Sequence, residues 1–421
     1  MPKNFQIIVV VFLLAVPSLA QQKRLWVLKP AGEMVEYDLT TFAAKQAVKV
    51  PPEAVKSAAN VSVNRLGQIL FAPAASLPLS DEDIASPHKI WFWNGHSATT
   101  LDAGVEHKVE TVGSNQAVTE VAPSAFLSAD GNHLFWFANQ QRRLQRENVD
   151  LSVTTTLQAW QTDTSGGNRV DLATVKLPEC RCTTGSCEES CPNGVVWVPQ
   201  DGMVTFFLVN QIVSGQTEIS YKASTLFQET AGKWSTIPLP QPLHRVLDAV
   251  SGADTVIVEA IPDNGCCGWS NQSNDQTLLH FSGRTLTVFD ERATYKNADY
   301  DVSFYTSDAK LSPELGSIAM TITSTSGTNQ PIQVSEQGVA NPEESKQIRK
   351  AQADLPAVEV KKMEEPPRRV DFIPHAALVG WINEKELLIV EGHLLVGYNV
   401  ATGARRKSNV KVEDTARVFL R

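Results

Sequence analysis

Residues Ala376 to Val412 read AALVGWINEKELLIVEGHLLVGYNVATGARRKSNVKV. Three apolar runs stand out: Ala376–Trp381, Glu386–Val390 and Leu394–Asn399. Asn383-Glu384-Lys385, Glu391-Gly392-His393 and Ala401-Thr402-Gly403 punctuate them, and a polar, alternating run, Lys407–Val412, follows. Runs this short, rich in Leu, Ile and Val and bounded by Gly and Asn, are strands rather than helices. Four antiparallel strands in so short a stretch, apolar first and polar last, describe one blade of a β-propeller. The inner strands of a blade are covered on both faces by neighbouring blades and lose alternation, whereas the outer strand faces water and keeps it.

The same outline recurs upstream. Arg24–Val50 supplies RLWVL, MVEYDL and QAVKV, one strand short of a copy. Asn60–Leu101 supplies NVSVN, GQILFAP, HKIWFWNG and TTL, and Pro123–Leu177 supplies SAFLS, HLFWFAN, TTTLQAWQT and NRVDLATVKL. Val195–Pro238 and Arg245–Phe289 each give four more runs, and Val302–Thr323 gives SFYTS and SIAMTIT. Ala416–Leu420 (ARVFL) is left over. The expected fold is therefore all-β, a seven-bladed propeller in which the C-terminal strand completes the first sheet and removes the exposed edge that would template aggregation. Six blades follow instead if the copy at Val302 is not a true blade. A pair of β-sandwiches is the competing architecture, since it also spaces short strands regularly. The recurrence of units with one internal order favours the propeller.

Ser128-Ala129-Asp130-Gly131-Asn132-His133-Leu134-Phe135-Trp136 resembles the S-x-D-G-x-x-L-x-F repeat of TolB-like and WD40-like propellers. Leu395-Val396-Gly397-Tyr398-Asn399-Val400-Ala401-Thr402-Gly403 resembles their following strand and turn. The resemblance implies the fold; fold alone carries little about function.

Residues 1–20 read as a secretory signal: Lys3, the apolar Ile7–Val16, and Ser18-Leu19-Ala20 before Gln21. A retained N-terminal anchor is the alternative. The remainder, 21–421, is expected to be one exported domain, secreted or periplasmic. The net charge of −9, with 20% charged and 42% hydrophobic residues, suits a globular protein and argues against nucleic acid and anionic membranes. Arg142-Arg143, Arg368-Arg369 and Arg405-Arg406-Lys407 read as solvated edges. Ser335–Asp371, charged and carrying Pro356, Pro366 and Pro367, reads as a flexible insertion with a short helix from Asn341-Pro342 to about Gln352.

Extra length is concentrated in a few links: Ala72–Pro87, Asn139–Ser152, Pro262–Asp275, Ser324 onward, and Pro178–Asn193 between blades. In a propeller these links open on one face, which makes that face the expected binding surface. All six cysteines lie in two of them: Cys180, Cys182, Cys187 and Cys191, then Cys266 and Cys267. In an exported chain they read as disulfides, with 15 connectivities open. Ligation of zinc or an iron–sulfur cluster is disfavoured because the spacing matches no common Cx2C pattern. Cys266-Cys267 between glycines permits a bond between neighbours. Such a ring resembles one in quinoprotein dehydrogenase propellers, whose docking motif is absent here, so no cofactor is expected.

The sequence holds no G-x-S-x-G, H-E-x-x-H, Walker or dinucleotide motif. Asp81-Glu82-Asp83 reads as a solvated tip rather than a calcium site, and no metal is expected. Trp91, Trp93, Trp136, Trp160, Trp197 and Trp381 fall on strands and belong between blades. Trp269, in the Cys266-Cys267 loop, is placed to stack on a sugar or peptide. The leading expectation is a non-catalytic binder of a protein or glycan through a disulfide-stapled loop face. The alternative is a hydrolase or lyase with its residues at the central channel; a structural envelope module is the third reading.

Overall fold

The computed structural model describes residues 23–421 apart from 74–76, 87, 129–130, 148, 178, 184–185, 188–191, 198–205, 215–218, 231–232, 239–242, 250–255, 261–275, 283–284, 293, 298–299, 325–345, 347–349, 365 and 414–415. Over 182–246 and most of 249–303 it describes the backbone alone. The described residues pass through seven antiparallel sheets in sequence order. In the first, Leu25–Leu28 pairs with Glu33–Tyr37, which pairs with Ala44–Lys49. The other edge of Leu25–Leu28 is taken by the C-terminal Arg417–Leu420, in a register running from Leu25↔Leu420 to Leu28↔Arg417. ARVFL is thus the strand that the first copy lacks.

The second sheet holds Ala58–Val63, Ile69–Pro73, Lys89–Trp93 and Ala98–Asp102. The fourth runs from Pro192 to Pro238, the fifth from Leu243 to Arg292 and the sixth from Thr294 to Pro374. The seventh holds Ala376–Asn383, Glu386–Glu391, Leu394–Asn399 and Arg405–Lys411. Its boundaries match the apolar runs to within a few residues, because Gly392 and Gly403 adopt the positive φ that their turns require.

Alternate residues of each strand serve opposite neighbours. Leu25 and Val27 pack with Leu388 and Leu395 of the seventh sheet. Trp26 and Leu28 pack with Val63, Ile69, Phe71 and Trp91 of the second. Leu70 and Phe92 of the second meet Leu127, Leu134, Trp136 and Trp160 of the third. Leu247 and Leu278 of the fifth meet Ile318 and Met320 of the sixth, whose Val358 and Val360 meet Trp381, Leu387 and Ile389 of the seventh. A strand with a sheet on each side has no solvent face, and for this reason it reads as a continuous apolar run.

Polar side chains fasten the same boundaries. Ser62 Oγ accepts from the Leu127 amide at 3.2 Å, Thr321 Oγ1 from Leu378 at 2.9 Å and Asp248 from Leu311 at 2.7 Å. Arg421 Nε donates to the Val63 carbonyl at 3.1 Å. Each satisfies a backbone group that burial between sheets would otherwise leave without water. Gly131, at φ 71°, lets the third sheet's turn sit on the second's: a Cβ there would lie 2.5 Å from Leu66 Cδ1.

Two expectations change. The segment 335–371 is not an insertion throughout, because Ala357–Lys362 and Arg368–Pro374 are the fourth and fifth strands of the sixth sheet. Ala357, Val358 and Val360 are buried, which ties this charged stretch to the core. Residues 350–353 are helical, but the Asn341-Pro342 start lies outside the described residues. The basic cluster Arg405-Arg406-Lys407 is not simply a solvated edge. Arg406 reaches the first sheet's Leu39 and Thr40 carbonyls at 2.7 and 2.9 Å and covers the Phe42 ring.

Candidate functional site: the extended third sheet

The third sheet carries the longest of the described strands: Asn115–Leu127 of 13 residues, His133–Arg146 of 14 and Val149–Asp163 of 15. One half of each, the half holding Leu127, Leu134 or Trp160, belongs to the apolar layer already described. Their outer halves run on for about seven residues, roughly 23 Å at the rise of a strand, and Glu106–Val112 pairs along the outside. The result is a four-stranded ribbon. β-branched residues favour it locally, with Val149, Val153 and Thr154-Thr155-Thr156 on one strand. The two-residue link Gly113-Ser114 closes the outer hairpin, with Gly113 at φ 63°. Asn139–Ser152, expected as an open loop, is therefore paired strand for most of its length, from Asn139↔Leu157 to Arg146↔Val149. The residues before Pro123, left unassigned by the repeat, are its outer hairpin.

The cysteine segment joins this ribbon. Cys180–Thr183 pairs with the third-sheet strand at Ser152↔Arg181 and Val153↔Cys180. Cys180 is buried. Cys182 and Cys187 are register partners across the adjoining short hairpin. The links Asn139–Ser152 and Pro178–Asn193 thus meet in one sheet. Cys191, Cys266, Cys267 and Trp269 lie outside the described residues.

Register places two rows of side chains on one face of the ribbon. The first is His107, Glu120, Gln141 and Thr155; the second is Val109, Val118, Arg143, Val153 and Cys180. Glu120 is 1% exposed. Its carboxylate accepts from Arg143 Nη2 at 2.8 Å and faces His107 Nδ1 at 3.1 Å. A carboxylate taken out of water needs such partners, because unpaired burial costs several kcal/mol. Arg143 Nε, and Asn139 Oδ1 four residues back along the strand, are buried without a hydrogen-bond partner. Arg143 is therefore an inward-facing residue, and the Arg142-Arg143 pair is not a uniformly solvated edge. Sequence reasoning missed this cluster; Asn115–Val121 (NQAVTEV) carries no apolar alternation that would have signalled it.

Other candidates resolve as structure. Asp83 forms a reciprocal capping box with Ser80 at the start of the helix Asp81–Ala85, so the acidic triplet is a helix's first turn. Trp91, Trp136, Trp160 and Trp381 are buried between sheets, as expected. A cavity of about 460 Å³ lies at the junction of the first and seventh sheets, lined by Lys29, Tyr37, Phe42, Val410, Lys411 and Ala416. Among the described residues no group of three metal-ligating side chains converges, and no helix is long and apolar enough to cross a membrane.

No known protein family matches the chain, and no curated protein matches it. Among solved structures it is similar to the periplasmic gluconolactonase PpgL of Pseudomonas aeruginosa, with 8% identity, 94% of this chain and 99% of that one covered, and a TM-score of 0.44. It is also similar to dipeptidyl peptidase 4 of Porphyromonas gingivalis, with 10% identity, coverage of 93% and 58%, and a TM-score of 0.38. The WD40 domain of SCAP from fission yeast aligns with 8% identity, coverage of 94% and 82%, and a TM-score of 0.32. Similarity at this level carries no argument about what the chain does.

Proposed function

We propose that the chain is an exported seven-bladed β-propeller, closed by its terminal strands, that binds a protein or glycan partner without catalysis. The binding surface is the third-sheet ribbon together with the cysteine loops stapled beside it. One observation carries this reading: two of the long links join a single sheet at Val153↔Cys180. A surface so built presents its side chains from paired strands, and little ordering entropy is left for the binding step. The wheel is supported by apolar layers between the first and second, second and third, fifth and sixth, and sixth and seventh sheets, and between the seventh and the first. The staple is supported by the backbone register that sets Cys182 opposite Cys187 and by the expected export of the chain. Export rests on the signal-like residues 1–20.

Photo-crosslinking in the exporting cell tests this. A photoreactive residue at Arg142, on the ribbon, should yield an adduct with a protein other than the chain itself or with a glycan. One at Leu66, on a first-to-second-strand turn, should not. Trp269→Ala should weaken the Arg142 adduct. Equal adducts from both positions, or an Arg142 adduct indifferent to Trp269, would overturn the proposed surface.

A further inference from the structure

The ribbon ends in a strand that no other described strand covers. Glu106–Val112 is the terminal strand of the third sheet, and every one of its seven residues is exposed. Val109 is 51% exposed and Val112 43%. The sequence along it is Glu106-His107-Lys108-Val109-Glu110-Thr111-Val112. An uncovered strand edge is a template for another strand unless something deters pairing.

We propose that Glu106–Val112 pairs antiparallel with the same strand of a second copy of this chain, about a two-fold axis through Val109. In that register Lys108 of each copy stands opposite Glu110 of the other, and Val109 stands opposite Val109. His107 meets Thr111 on both sides. A shift that centres the pair on Lys108 sets lysine against lysine, and one centred on Glu110 sets glutamate against glutamate. The charges that deter pairing in general therefore select one register. Within one copy Lys108 and Glu110 already form an ion pair, so both side chains lie on one face of the strand.

The backbone agrees. The two-residue link makes Val112 and Asn115 the hydrogen-bonded closing pair of the hairpin. Bonding direction alternates along a strand, so Val112, Glu110, Lys108 and Glu106 bond inward, and Thr111, Val109 and His107 turn their amides and carbonyls outward. Those three are the residues that the proposed register pairs by hydrogen bonds. Lys108 and Glu110 then fall at the non-hydrogen-bonded positions, where side chains approach most closely. Other edge strands lack this self-complementarity. Arg405–Lys411 (RRKSNVK) is cationic at both ends, so antiparallel self-pairing sets like charges together. Arg368–Pro374 (RRVDFIP) sets its arginines against Pro374 and Ile373. The interface is isologous, as a two-fold dimer requires.

Sedimentation of the Gln21–Arg421 chain over a concentration series tests the proposal. The wild-type chain should be a reversible dimer. Val109→Pro removes an outward amide that its own sheet does not use, so it should give a monomer with an unchanged thermal melt. Glu110→Lys replaces two attractive pairs by two repulsive ones and should raise the dissociation constant roughly tenfold or more. The double variant Lys108→Glu/Glu110→Lys restores opposite charges and should restore the dimer. A wild-type chain that stays monomeric throughout the micromolar range would refute the pairing. So would a double variant that dimerises no better than Glu110→Lys, a comparison that stands even if Val109→Pro fails to fold.

Discussion

Deleting Arg417–Arg421 should leave the protein without a stable native state. The magnitude follows from what the last strand touches. Phe419 and Leu420 are each 7% exposed, and burying such side chains contributes about 1.5–3 kcal/mol apiece. The strand also completes the ladder along Leu25–Leu28, extended by the Arg421 amide to the Arg24 carbonyl at 2.8 Å. At about 1 kcal/mol net per bond, the roughly six bonds that alternation sets at Arg24/Arg421, Trp26/Phe419 and Leu28/Arg417 contribute about 6 kcal/mol. Together these terms come to about 9–12 kcal/mol, against a typical total of roughly 5–15 kcal/mol. A graded version uses Leu420→Ala. Leu420 packs in one cluster with Leu25, Val27, Leu388 and Leu395, and its truncation should cost about 2–5 kcal/mol. Urea unfolding followed by tryptophan fluorescence reads both changes, because Trp26 is fully buried beside Phe419. At an m-value of about 3 kcal/mol/M, Leu420→Ala lowers the midpoint by about 1 M. Amides of Leu25–Leu28 should also exchange faster in this variant than those of Leu387–Ile389. A deletion that keeps the wild-type midpoint would refute the assignment of the C-terminus to the first sheet.

Four further outcomes follow from particular contacts. Glu120→Ala strands Arg143 in the ribbon and should destabilise it by about 3–5 kcal/mol. Hydrogen exchange should then quicken in 106–122 before the rest of the chain; uniform protection would refute the pair's role. Gly397→Ala would place a Cβ 2.5 Å from Glu386 Oε1 and 2.8 Å from Arg406 Nη2. It should cost about 1–3 kcal/mol in thermal unfolding, and a neutral result would mean that the Arg406 fastening is dispensable. Burial, then the 2.5 Å hydrogen bond to Asp371, push the Tyr398 phenol from 10.0 up to about 12. Its folded pKa is the higher one, so its contribution to stability is full below pH 10 and is lost as pH rises through about 12. Ultraviolet titration should find one late phenol that Tyr398→Phe removes, and persistence of that late step would refute the assignment. Alkylation of the unreduced chain should label no cysteine, and six labelled thiols would overturn the proposed staple.

The inner strands of the seventh sheet were legible because each is covered twice. Leu387-Leu388-Ile389 alternates between the sixth-sheet cluster and the first-sheet cluster, so no position is left to spell out solvent. The ribbon was illegible for the opposite reason. Its covered face holds Glu120, Arg143 and Thr155 beside Val118 and Val153, so burial there has no apolar period to detect. The strand Ala357–Lys362 was hidden in the same way. Buried Glu359 interrupts its apolar residues, and Arg369 of the next strand stands 3.9 Å from that carboxylate. Prolines at 366 and 367, which read as a linker, lie between two paired strands.

The boundaries between sheets explain why the repeat keeps its outline and loses its letters. Each junction must satisfy buried backbone groups of the next sheet, but any acceptor or donor of adequate reach will do. Serine does this at 62, aspartate at 248, threonine at 321 and arginine at 421. Where a turn of the sixth sheet meets one of the seventh, Glu384 takes the part, accepting from Ser312 Oγ at 2.8 Å and the Glu314 amide at 3.0 Å. The apolar layers hold hydrophobic residues at alternate positions, so their pattern persists from copy to copy. The polar fastenings constrain geometry and leave chemistry free. A repeat held together in this way is recognised by the spacing of its strands long after a residue-by-residue signature has gone.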